Sequence, residues 1–145
     1  MKPALLLLVT TTALGVLGPV ARAATTVTVI EHATTDATTD TGKKGDSAGD
    51  ILTFANAIYD KADKKKVGTD QGYCIRVKAG SSYECTWTLS LATGQLVVAG
   101  PFYDTKDSTL AITGGTGAYE GARGSMRLHA LKGGKEYRFA YHLKG

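Results

Sequence analysis

Several things are scarce in this chain, and each scarcity removes a class of function. Net charge is low: 17 Lys and Arg against 13 Asp and Glu leave a formal +4. Lys2 and Arg22 supply two of those charges near the start, so the remainder sits close to neutrality. A nucleic-acid partner needs a basic face that neutralises phosphates. Here the lysines gather at Lys43-Lys44 and over Lys61 to Lys66, among Gly and Asp, as solvated loops do. With only two cysteines and three histidines, none at ligand spacing, a metal centre is not expected. Asp36, Asp40 and Asp46 do not follow the alternate-position pattern of a calcium loop. Gly115-Thr116-Gly117 follows a strand, as a dinucleotide-binding loop does. The next glycine is Gly121, however, and no long helix follows. No serine nucleophile motif is present, and no cofactor is expected.

Long apolar runs are absent except at the start. Lys2, an apolar stretch reaching Val20, and Ala21-Arg22-Ala23 read as a secretory signal peptide over residues 1–23. Gly15, Gly18 and Pro19 interrupt the run and argue against a membrane anchor. The expectation is therefore one secreted, extracellular domain over residues 24–145, with no membrane association after cleavage.

What that domain has in quantity is short alternating stretches between Gly- and Asp-rich turns. Thr25 to His32 places Val27, Val29 and Glu31 on one side. Asp50 to Tyr59 places Leu52, Phe54, Asn56 and Ile58 on one face. Further strands are expected over 70–77, 82–91, 95–102, 108–114, 122–131 and 136–143. The ATTD repeat and the residues after it, 33–49, read as a long mobile loop. Asp60 to Thr69 reads as a charged connection. Gly114 to Gly124 reads as a glycine corner with one helical turn and Tyr119 folded in as a plug. Eight strands at about ten-residue intervals, with no long helix, indicate an all-β antiparallel barrel or sandwich. A barrel of that size holds packed side chains or one small ligand.

Cys74 and Cys85 flank a turn at Lys78-Ala79-Gly80-Ser81. If Lys78 pairs with Ser81, the cysteines face each other at a separation a disulfide spans. Export favours the same pairing; free thiols or a shared metal are the alternatives. This register groups Gly72, Cys74 and Arg76 with Tyr83, Cys85, Trp87 and Leu89 on one face. Tyr73, Ile75 and Val77 fall on the other, which leaves an apolar exterior suited to another subunit.

Those residues carry a resemblance over nearly the whole domain. GDILTFAN at 49–56, VGTDQGYC at 67–74, GPF at 100–102, STLAITGGTGAYEG at 108–121 and YHLKG at 141–145 resemble allene oxide cyclases. GGTGAYEGARG is also similar to the dirigent proteins. The resemblance implies an eight-stranded barrel, commonly a trimer, that closes a ring in a fatty-acid epoxide. It places Glu31 on the family's catalytic glutamate, for charge stabilisation or proton transfer. It places Leu52, Phe54, Asn56, Cys74 and Phe102 on pocket-lining positions. The chain departs from the cyclases at Ala33, where they carry asparagine, and at Phe102, where they carry tyrosine. It also lacks a Ser-Pro in the loop after Glu31 and has a second cysteine facing Cys74.

Three function classes follow. The first is a secreted isomerase or cyclase acting on a small hydrophobic molecule, with Glu31 catalytic and Arg76 or Arg123 holding an acidic group. The second is a ligand-binding barrel without chemistry, or a dirigent-like oligomer. The third is a filled barrel whose surface does the work. The first two need a hollow bounded by Phe54, Trp87, Phe102 and the Cys74–Cys85 bridge, with Glu31 facing in. The third needs Tyr83, Trp87 and Met126 to fill it.

Overall fold

The computed structural model describes residues 25–144, so the expected leader and its cleavage site lie outside them. The strands are β1 (Thr25–His32), β2 (Ala37–Thr39), β3 (Ile51–Asp60), β4 (Lys66–Lys78), β5 (Ser82–Leu91), β6 (Gly94–Tyr103), β7 (Ser108–Gly115), β8 (Gly124–Leu131) and β9 (Glu136–Leu143). One turn of 3-10 helix, Gly117–Tyr119, interrupts them. Neighbouring strands pair antiparallel in chain order from β3 to β9, and β9 pairs with β1. Val29 to His32 of β1 then pair with Ala57 to Asp60 of β3, which closes an eight-stranded barrel. Closure gives every wall strand a partner on both sides, as an alternating sequence without helices requires.

The ninth strand corrects the expectation of a mobile loop over 33–49. β2 lies on the free half of the β3 edge, with Ala37 opposite Thr53 and Thr39 opposite Ile51. Asp50 closes the rest: its carboxylate accepts the Thr41 and Ser47 amides at 2.9 and 2.8 Å. The low complexity of the ATTD repeat conceals this order, because Thr and Asp supply hydrogen bonds where a core strand supplies apolar surface. β4 also begins earlier than expected. Lys66 pairs with Tyr59 after a register shift, so the charged connection is only residues 61–65.

The two ends of the barrel differ. At one end the β7–β8 connection folds in. Gly115 sits so close to it that a Cβ there would lie 2.5 Å from the Tyr119 carbonyl. Tyr119 is partly buried against the core at that end. Above it Ile58, Leu89, Leu96, Val98, Met126 and Tyr141 are fully buried and fill this half of the barrel. At the other end the β1–β3, β4–β5, β6–β7 and β8–β9 connections ring a mouth.

From Arg76 opposite Tyr83 down to Cys74 opposite Cys85 the β4–β5 hairpin has the expected register, but a shift between Arg76 and Lys78 puts Lys78 opposite Ser82 in the ladder. The cysteines form a disulfide with their Cα atoms 4.0 Å apart. The turn closes through the Ser81 amide and the Lys78 carbonyl, 3.1 Å apart. Outside the wall, Tyr73, Ile75 and Val77 remain 49%, 44% and 59% exposed.

Candidate active site

The mouth half of the barrel is hollow. Glu31, Asp36, Leu52, Phe54, Cys74, Cys85, Trp87, Phe102, Leu128, Tyr137 and Phe139 line a space of about 70 Å3. That volume holds on the order of five waters. Trp87 forms part of its floor, its ring 5.5 Å from Phe139 and edge-on to Phe54 at 6.0 Å. A wider bowl of about 670 Å3 adjoins it, sharing Phe102, Leu128 and Tyr137 and bounded also by Arg76, Tyr103 and His129. The barrel is thus filled below by Met126 and its neighbours and open above.

Glu31 projects into the hollow from the last turnings of β1 and is only 5% exposed. It is held from two sides. The Asn56 amide donates to its Oε1 at 2.8 Å, and Asp70, itself 1% exposed and with its Oδ2 left without another partner, lies against it from behind. Two buried carboxyl groups in contact cannot both keep a charge. Burial, and then the charge on Asp70, push Glu31 up from 4.5 to about 9. Burial raises Asp70 as well, to about 6, while the hydrogen bond from Glu31 opposes the rise. The pair therefore holds on to a proton well above the usual carboxylate range, and Glu31, the more strongly raised of the two, is its natural holder.

Asn56 organises this corner. Its Nδ2 also donates to Asp36 Oδ1 at 2.8 Å. Its Oδ1 accepts the Thr34 and Thr35 amides, both at 3.0 Å, and the Thr35 hydroxyl at 2.9 Å. Three donors on the oxygen leave the amide a single orientation, with its NH2 turned to the acids. Asn56 is expected as a lining residue from the sequence; it stands behind the lining, tying the 33–36 segment to Glu31.

Leu52, Phe54, Cys74, Trp87 and Phe102 lie on the wall of the hollow. Arg76 lies at the mouth. Its Nη1 contacts both Asp104 carboxylate oxygens at 2.8 Å, its Nε lies 2.7 Å from Asp46, and its guanidinium stacks 3.6 Å over Tyr83. It joins the 33–50 segment to the β6–β7 connection and caps the rim. Arg123 sits at the opposite, closed end, where its carbonyl accepts the Lys144 amide at 2.9 Å. The two arginines therefore do not share a site.

Asp70 and Asp36 are the acids that sequence reasoning missed. Asp70 falls in the inward row of β4 that holds Gly72 and Cys74, so its parity was a usable signal. Asp36 offered none, since its place depends on how the segment folds back. Folding also groups His32, Asp63 and Glu136, with one ligand atom of each within 4.8 Å of the others. The Lys132 ammonium already stands among them, 2.6 Å from Glu136 and 3.6 Å from Asp63. The histidine that lacked ligand spacing in the sequence has acquired acidic neighbours from the β3–β4 connection and from the start of β9.

Solved structures share this architecture. A pyocyanin demethylase is 29% identical, with a TM-score of 0.70 over 83% of this chain and 98% of that one. A pterocarpan synthase dirigent protein is 18% identical, with a TM-score of 0.64 over 86% and 99%. An exo-specific intermolecular Diels-Alderase is 14% identical, with a TM-score of 0.67 over 86% and 100%. The last two establish likeness of fold alone. The allene oxide cyclase family profile matches residues 27–145, the whole barrel, and the chain belongs to that family.

Proposed function

We propose that this protein is an exported enzyme that isomerises or cyclises a small hydrophobic molecule, with Glu31 as its acid. One observation carries the reading: a buried carboxyl group, which burial and the neighbouring Asp70 push up to about 9, lies in a hollow whose other lining side chains, Asp36 at the rim apart, are apolar or aromatic. A neutral acid in such a place donates a proton or a strong hydrogen bond where charge develops on a bound molecule. Asp70 behind it holds the proton in place until a better acceptor arrives. The aromatic walls exclude water and fix the ligand's plane. The hollow is too small for a whole drug-sized ligand, for which sites run to about 300 Å3 or more. A narrow, flat end enters it and the remainder lies in the bowl beneath Arg76. The small-molecule chemistry named in the structural relatives supports this class over a purely structural barrel.

Export is supported by the leader pattern and the disulfide. Among the described residues no helix is long and apolar enough to cross a membrane. The bare stripe of Tyr73, Ile75 and Val77 supports a homo-oligomer, a trimer by family resemblance.

The experiment uses Trp87, the one tryptophan in the chain. Quenching of its fluorescence by a panel of conjugated fatty-acid epoxides, polyenes and pyocyanin identifies ligands, and NMR of each mixture identifies turnover. Glu31→Gln keeps the hydrogen-bonding shape and removes the acid. Bound ligands that the variant converts as fast as wild type reduce the protein to a carrier.

A further inference from the structure

Resting on the reading of Glu31 as an acid, we infer that Asp36 is its catalytic counterpart, a general base facing the same ligand. Glu31 and Asp36 are the two carboxyl groups among the residues lining the hollow. Both accept from the one Asn56 Nδ2, each at 2.8 Å, so their oxygens are neighbours across a single nitrogen. Their surroundings are opposite. Glu31 is buried against Asp70, whereas Asp36 stands exposed at the rim. An acid and a base separated in this way by environment are what a proton shift needs.

Asp36 is also held firmly enough for the task. On its N-terminal side Thr35 bonds Asn56 and accepts the Ala55 amide at 2.8 Å. On its C-terminal side Ala37 enters the ladder opposite Thr53. A carboxylate between two anchored neighbours is positioned before the ligand arrives. The fitting substrate is a conjugated hydrophobic molecule with an acidified C–H bond near the rim. Asp36 takes that proton, the bonding pair moves through the conjugated system, and Glu31 gives its proton at the far end. The product is an isomer of the substrate. Asp36 then loses its proton to water, and one proton returns to Glu31.

The flat probe 5-nitrobenzisoxazole tests this without knowledge of the natural ligand. A base removes its ring C–H proton, the pair forms the nitrile, and the N–O bond breaks to leave a phenolate oxygen, which Glu31 stabilises by donating a hydrogen bond while keeping its proton. Wild type should open it well above the rate with free acetate, and Asp36→Asn should lower kcat/KM by about 100-fold. Asp40→Asn, the matching position of the second ATTD copy, should leave the rate unchanged and controls for damage to the segment. Trp87 quenching by the probe should be equal in all three. Quenching with no wild-type acceleration, or with Asp36→Asn within about threefold of wild type, overturns the role of Asp36 alone. An absence of quenching in every protein removes the ligand hollow, and the reading of Glu31 falls with it.

Discussion

Gly72 lies directly across the β4–β5 ladder from Trp87, and a methyl group on it would fall 2.3 Å from the tryptophan Cβ. The glycine is therefore what lets the indole lie inside the wall as part of the floor. Gly72→Ala should push Trp87 into the hollow, abolish ligand quenching and cost about 1–3 kcal/mol of stability. Urea denaturation beside the fluorescence titration checks both parts. A variant of full affinity would mean that the floor is set elsewhere.

Asn56→Ala should release the 33–36 segment. The Thr34 and Thr35 amides lose their acceptor and Glu31 loses a donor, an expected cost of about 1–3 kcal/mol. Hydrogen exchange should quicken at those two amides while the β5–β6 ladder stays protected. Uniform exchange throughout would count against a local anchor.

Stability should fall as pH rises from mildly acidic to alkaline. The folded protein keeps a proton on Glu31 between 4.5 and about 9 that the unfolded chain has released. Asp70 behaves likewise from 3.8 to about 6. In that window the native state binds more protons, so each step upward favours unfolding. Asp50 runs the other way: the Thr41 and Ser47 amides hold it low, and its contribution fades only as pH falls into acid. Thermal midpoints across the range, for wild type and Glu31→Gln, check the sign; the variant should show a flatter decline on the alkaline side.

Replacing Cys74 and Cys85 together by serine should cost roughly 2–3 kcal/mol, since the bridge closes a short loop. Denaturant midpoints with and without a reductant measure it. Reductant should leave the double variant unchanged and lower only wild type.

If subunits meet on the outer face of β4, Ile75→Lys should lower the sedimenting mass without disturbing the circular dichroism. A wild-type protein that sediments as a monomer rejects this use of the stripe.

The barrel itself was legible from local chemistry. Alternation along Glu136 to Leu143 and the turn residues between strands prescribe a barrel or a sandwich, because period-two apolar rows need a common interior; the family resemblance singled out the barrel, and the β1–β3 pairing closes it. The hairpin register was legible too from Arg76 and Tyr83 down to Cys74 and Cys85, although the irregularity at Lys78 next to the turn was not. Glu31 was readable from its place at the end of the Val27–Val29 row.

Only tertiary contact decided what Glu31 is chemically. Its protonation depends on Asp70, 39 positions along the chain by residue number, and on burial that no neighbour in sequence supplies. Asp36 became a rim carboxylate because Asn56 captured the threonines before it, and the hollow survived because the packing stops short of the mouth. Pleat and turn act between adjacent residues and are written locally. Desolvation and charge coupling act across space, so they exist only once distant strands have come together.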